Sequence, residues 1–123
     1  MIQGLGFVGS AMAVAASSRL DSSGNPIFNV IGIDLPSGDG QKRIDKINSS
    51  NFPFEINDRK MDVELKNAVE RGNLRASSKT SHYSTADIVI VSINCDLILE
   101  DKTSKVALEP FIESIIQIAR KIS

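Results

Sequence analysis

The sequence predicts an α/β fold, a parallel sheet flanked by helices, on three observations. Strand-like and helix-like segments alternate along the chain. The run Ala86-Asp87-Ile88-Val89-Ile90-Val91-Ser92-Ile93 is rich in β-branched residues without interruption, the mark of a strand buried on both faces. Near the amino terminus, Gly4-Leu5-Gly6-Phe7-Val8-Gly9 forms a G-x-G-x-x-G run that leads from a strand into a helix of small residues.

The glycine run reads as a phosphate-binding turn. Gly4 permits the tight turn out of the strand, Gly6 lets backbone approach a pyrophosphate, and Gly9 lets the following helix pack closely. Leu5, Phe7 and Val8 complete the loop, which contains no basic residue. None is needed, because a helix amino end presents unpaired N–H groups and a positive dipole end to an anion. A dinucleotide site also needs an acidic residue at the end of the second strand, to accept hydrogen bonds from ribose hydroxyls. Asp34 closes the run Ile27-Phe28-Asn29-Val30-Ile31-Gly32-Ile33-Asp34, and Leu35-Pro36 ends it. Its distance from Gly9 is slightly long because Asp21-Ser22-Ser23-Gly24-Asn25-Pro26 inserts a turn. The sheet is therefore expected to be of the Rossmann type. A carboxylate at Asp34 would repel a 2′-phosphate, which favours NAD over NADP.

Composition limits what else the chain does. With 123 residues it is one domain, and its 41% hydrophobic content suffices for a core. A net charge of −1, with scattered basic residues, gives no electrostatic footprint for nucleic acid or an anionic membrane. One cysteine, Cys95, excludes an intrachain disulfide framework and a multi-cysteine metal site. There is no signal-peptide pattern and no membrane-spanning apolar run. These features predict a soluble, cytoplasmic protein.

The remaining elements follow in order. Met1-Ile2-Gln3 is a clipped first strand, expected in the middle of the sheet at a cost in stability. A first helix is expected from Val8 or Gly9 to Leu20, packing through Ala11, Met12, Ala15, Ala16 and Leu20. A short helix from Gln41 to Asn48 carries Ile44 and Ile47 at helical spacing, with Arg43 within reach of the adenosine side of a cofactor. Phe52 and Phe54 flank Pro53 and anchor a loop. A helix from Met61 to Arg71 uses Val63, Leu65, Ala68 and Val69 and stops at Gly72. Leu74 to Ser77 is a short strand. His82 and Tyr83 are read as loop residues before the 86–93 strand. Ligands of open α/β sheets lie beyond the carboxyl ends of the strands. That places Asn94, Cys95 and Asp96 at the cofactor. A last helix, Leu108 to Ile122 with Pro110 in its first turn, has a wide apolar face and should cover the sheet. The fold is expected to be truncated at both ends, and an exposed sheet edge with an uncovered helix face points to a homo-oligomer.

The succession Gly4-Leu5-Gly6-Phe7-Val8-Gly9, Ile31-Gly32-Ile33-Asp34, Arg71-Gly72-Asn73-Leu74-Arg75-Ala76-Ser77 and Ser84-Thr85-Ala86-Asp87-Ile88-Val89-Ile90-Val91 resembles the NAD-binding domain of the nucleotide-sugar 6-dehydrogenases, typified by UDP-glucose and GDP-mannose dehydrogenases. The segment Gly72 to Ala76 is the more specific sign. The resemblance implies oxidation of a sugar C6 alcohol to a carboxylate with two NAD+, through a thioester on a catalytic cysteine. That cysteine, its assisting residues and the nucleotide-sugar site lie in central and carboxyl-terminal domains outside this chain. The family pattern maps onto Gly4, Gly6 and Gly9 at the pyrophosphate, Asp34 at the ribose and Arg43 beside it. Where the family has Val-Pro-Thr-Pro after the Ala-Asp strand, this chain has Ile93-Asn94-Cys95-Asp96, so Cys95 replaces the threonine that meets the cofactor. Cys95 is not read as a nucleophile, since no base is placed beside it and His82, the only histidine, precedes the same strand. Two other functions share these motifs: a non-catalytic, redox-sensing NAD module and an S-adenosylmethionine-binding domain.

Overall fold

In the computed structural model, residues 1–95, 97–100 and 103–122 are described, with the backbone alone for 97–100 and 103–105. Asp96 lies outside the described residues. Four strands, β1 (Ile2–Gln3), β2 (Val30–Ile33), β3 (Leu74–Ser77) and β4 (Ile90–Val91), form one parallel sheet in the order β3-β2-β1-β4. The two-residue β1 is central, as its sequence context implies, with Ile2 opposite both Gly32 and Ile90. The crossover elements are α1 (Phe7–Ser17), α2 (Gly38–Asn48) and α3 (Arg59–Arg71), and α4 (Glu109–Ile122) closes the described chain.

Strand alternation divides the core. Ile2, Val30, Leu74 and Ala76 face α1 to α3, where they meet Leu5, Val14, Ile44, Ile47, Phe52 and Leu65. Met1, Ile31, Ile33, Val89 and Val91 face the other way, against Tyr83 and Ile118 of α4. The expected faces of α2 are therefore correct. α3 starts two residues early because Asp58 caps it, its Oδ1 accepting from the amides of Lys60 and Met61 at 3.0 and 3.1 Å. It stops at Gly72, whose φ of +82° is left-handed.

Several expectations are corrected. α1 ends at Ser17, and Leu20 is exposed in a bridge with Pro26. The chain bends there because Asp21 Oδ1 accepts from the amides of Ser23 and Asn25, both at 2.9 Å, in a local turn that outcompetes another helical turn. β2 begins at Val30, not Ile27, and Val63 is exposed. The 86–93 run pairs as a strand only at Ile90 and Val91, opposite Ile2 and Gln3, and Ile88 is 59% exposed. Tyr83 is not a surface loop residue. It sits in a 3-10 turn over 80–85 and is 2% exposed, because its ring fills the space between Ile33 and Ile118. α4 covers the sheet only in part: Ser114 and Ile118 are buried, while Ile112, Ile115, Ile116 and Ile122 remain exposed. A hairpin of β5 (Leu97–Glu100) and β6 (Thr103–Val106) follows β4, an element with no forecast in the sequence reading.

Candidate functional site

The site is assembled where β1 turns into α1. Gly4 has φ +89°, and a Cβ there would meet the Ser92 carbonyl and the Ile93 side chain, so the turn is pressed against the end of β4. A Cβ on Gly9 would run into the Gly4 carbonyl. Gly9 thus packs the helix onto the turn itself rather than onto the sheet at large. Gly6 is different: a Cβ there meets nothing within 4 Å. Its face is open.

α1 begins directly from this open glycine. Its first intrahelical bond runs from the Ser10 amide to the Gly6 carbonyl at 2.9 Å. No side chain caps the helix, and no acidic residue stands in its first turn. The amides of the first turn therefore have no intrahelical acceptor, and the positive end of the dipole is not neutralised. Both properties suit a phosphate.

The buried Asp34 carboxylate ties this turn to the second strand. Its Oδ2 accepts from the Leu5 amide at 3.1 Å and from Arg43 Nε at 2.8 Å, and its Oδ1 accepts from the Leu35 amide at 2.8 Å. Arg43 reaches it from α2, and the carboxylate holds the guanidinium charged, above its ordinary range. A carboxylate has about four lone-pair positions. Three are engaged here, which leaves roughly one for a ribose hydroxyl.

The loop side chains take separate places. Leu5 is fully buried and packs against Gly32, so its contribution at the site is its backbone. Phe7 and Val8 are exposed at the start of α1. The Phe7 ring stands edge-on to Phe52 and Phe54, with centroids 6.0 and 5.7 Å away, and Phe52 is buried, so the two loop phenylalanines anchor as expected. Asn94 is exposed and Cys95 is a half-buried free thiol beyond the carboxyl end of β4, the edge on which the glycine turn lies. The structure thus joins Gly4, Leu5, Gly6, Gly9, Asp34 and Arg43 in one contact network. It places Asn94 and Cys95 at the same sheet edge without a hydrogen bond to that network.

Three supporting residues escaped the sequence reading. Ser10 is fully buried and its Oγ donates to the Leu5 carbonyl at 2.8 Å, stapling the loop to the helix. Ser92 supplies the wall behind Gly4. Gly32 lies under Leu5, where a Cβ would collide with the leucine methyls. A glycine inside a strand is a signal of such close approach, so Gly32 was readable. Ser10 and Ser92 were not, since a serine that is buried or packed against a turn looks like a surface one in sequence.

A cleft of about 700 Å³ lies elsewhere, at the amino ends of the strands, lined by Met1, Phe28, Asn29, Ala86, Asp87 and Ile88. Among the described residues no cluster of three or more His, Cys, Asp or Glu side chains could hold a metal ion, and no helix is long and apolar enough to cross a membrane.

Comparison with known proteins agrees with this geometry. The family model described as "UDP-glucose/GDP-mannose dehydrogenase family, NAD binding domain" matches residues 1–123. A search of curated protein sequences finds no match. Among solved structures, the fold is shared with a ternary complex of GDP-mannose dehydrogenase from Pseudomonas aeruginosa, at TM-score 0.76 and 22% identity over 98% of this chain and 24% of that one. It is shared also with NDP-N-acetyl-D-galactosaminuronic acid dehydrogenase from Methanosarcina mazei, at TM-score 0.80 and 19% identity, with the same coverages. A UDP-glucose dehydrogenase from Pyrobaculum islandicum follows at TM-score 0.65 and 18% identity, again over 98% and 24%. The chain spans about a quarter of the length of these relatives.

Proposed function

Because this chain belongs to the UDP-glucose/GDP-mannose dehydrogenase family, as its NAD-binding domain, we propose that it is the cofactor-holding part of an enzyme that oxidises the C6 alcohol of a nucleotide sugar to the uronic acid. The observation that carries the site is the open face of Gly6 at the uncapped start of α1, joined through the Leu5 amide to the Asp34 carboxylate. NAD fits these residues. The amides of Gly6, Phe7 and Val8 would hold the pyrophosphate, with no side chain at Gly6 to obstruct it. The remaining acceptor position of Asp34 would take a ribose hydroxyl, and Arg43 would border the adenosine side while keeping Asp34 fixed. Asn94 and Cys95 would border the other half of the cofactor.

When bound, NAD supplies the hydride acceptor. What this chain contributes is binding and orientation: Asp34 sets the loop, Gly4 and Ser92 brace it, and the 3-10 turn with Tyr83 backs β2. Chemistry at the sugar, including the thioester-forming cysteine, belongs to further domains, as does nucleotide-sugar recognition. The 1–123 unit is a single domain working in the cytoplasm within a homo-oligomeric enzyme. Backbone amide NMR tests the site directly. Addition of NAD+ should shift the resonances of Leu5 to Gly9 and of Asp34, whereas shifts confined to the amino-end cleft would refute this placement.

A further inference from the structure

Whether a dinucleotide site takes NAD or NADP is decided at the adenosine ribose, where the two cofactors differ by one phosphate on the 2′ oxygen. A carboxylate at the end of the second strand selects NAD in two ways. It accepts from the ribose hydroxyls, and its charge repels the 2′-phosphate, which an arginine nearby accommodates instead. This chain carries both groups, in contact with each other: Asp34 Oδ2 accepts from Arg43 Nε at 2.8 Å, between side chains that are 7% and 26% exposed.

That contact weakens both arms of the selection. The Asp34 carboxylate meets an incoming anion as one half of an ion pair, with the guanidinium charge directly against its own. Its acceptor positions are largely occupied as well. Oδ2 is shared by the Leu5 amide and Arg43, and Oδ1 takes the Leu35 amide. About one of roughly four lone-pair positions remains, enough for one ribose hydroxyl and not for two.

Arg43 itself is only partly engaged. A guanidinium carries its N–H donors in a planar fork. The one at Nε goes to Asp34, and those on the two Nη atoms have no partner among the described residues. The ion pair already fixes the fork, so little further freedom is lost when an anion binds it. Asp39, the other carboxylate whose charge reaches Arg43, is 78% exposed and paired with Lys42 Nζ at 3.2 Å, so its charge is offset and screened.

We infer that this site accepts NADP+ as well as NAD+, with Arg43 as the residue that admits the 2′-phosphate. The inference rests on the cofactor placement proposed above. One ribose hydroxyl takes the last acceptor position of Asp34. The substituent on the adjacent 2′ carbon then lies beside the guanidinium, whose Nη groups donate to the phosphate oxygens as a fork. A strand-end carboxylate excludes NADP only while its charge is unpaired.

Calorimetric titration of the full chain with NAD+ and with NADP+, repeated on Arg43→Ala and Arg43→Lys, tests this without any turnover. The two cofactors should bind the unaltered chain with dissociation constants within about tenfold of each other. Arg43→Ala leaves the Asp34 charge unpaired beside the ribose and should weaken NADP+ at least about tenfold more than NAD+. Arg43→Lys, which keeps the charge but not the fork, should fall between. A larger gap on the unaltered chain, with NAD+ bound, would overturn the inference and leave the cofactor placement standing. So would equal weakening of both cofactors in Arg43→Ala, the mark of an arginine that only braces Asp34. Binding of neither cofactor by a folded chain would overturn the placement and the inference together.

Discussion

At the carboxyl ends of its strands the sheet closes on itself: Gly4 turns against Ser92, Ser10 staples Leu5, and Asp34 holds Leu5, Leu35 and Arg43 at once. At the amino ends, β2 and β4 flank a cleft, with Ile88 and Phe28 exposed along it. The same four strands thus carry a hydrogen-bonded turn at one end and an open cleft at the other. The difference teaches where function resides. A site that must present amides to an anion before the anion arrives needs its loop held by short, buried contacts, and the glycine turn at the carboxyl rim has them.

The comparison can be broken most forcefully at its hydrogen-bonded end. Gly4→Ala should cost about 3 kcal/mol or more in urea unfolding, because a positive φ and a collision with the Ser92 backbone act together. Gly6→Ala should change stability by less than about 0.5 kcal/mol, since its Cβ enters open space, and should still weaken NAD binding at least about tenfold, or roughly 1.4 kcal/mol. Equal stability losses in the two variants would show that the glycines have no separate jobs.

Asp34→Ala comes next. It leaves the buried Leu5 amide and the part-buried Arg43 without their acceptor, at about 1–3 kcal/mol in the same assay. A cost below about 0.5 kcal/mol would mean that the carboxylate does not brace the loop.

Tyr83 sharpens the picture beneath the site. Burial first, and the charge of Asp34 second, raise its phenol above the ordinary range. The unfolded chain releases this proton near pH 10 while the folded chain keeps it. The unfolded state then binds fewer protons, so stability is complete below about pH 10 and falls as pH rises further. Tyr83→Phe should flatten that alkaline loss. It should cost little at pH 7, because the buried hydroxyl has no hydrogen-bond partner among the described residues. The smallest effect is expected at the cleft end, where Ile88→Thr should change stability by less than about 0.5 kcal/mol.

Much of this was legible in the sequence, and for physical reasons. The glycine turn, Asp34, Gly72 and the apolar face of α2 announce themselves because each rests on a local requirement: a positive φ, a strand-end carboxylate, or a 3.6-residue spacing. What failed was tertiary. The run 86–93 has the composition of a long buried strand, yet it pairs only at Ile90 and Val91, because pairing depends on the neighbouring strand and not on composition. Tyr83 looked like a loop residue because its burial depends on Ile33 and Ile118, both far away in sequence. Arg43 stands beside Asp34, and its ion pair with that carboxylate at 2.8 Å could not be read from a separation of nine residues.

The central claim is that the carboxyl rim is a preformed NAD half-site. Calorimetric titration of the chain with NAD+, beside Gly6→Ala and Asp34→Ala and with S-adenosylmethionine as a control, tests it most directly. NAD+ should bind the unaltered chain and bind both variants more weakly, with no heat from S-adenosylmethionine. Absence of NAD+ binding by a folded chain, or preferential binding of S-adenosylmethionine, would contradict it.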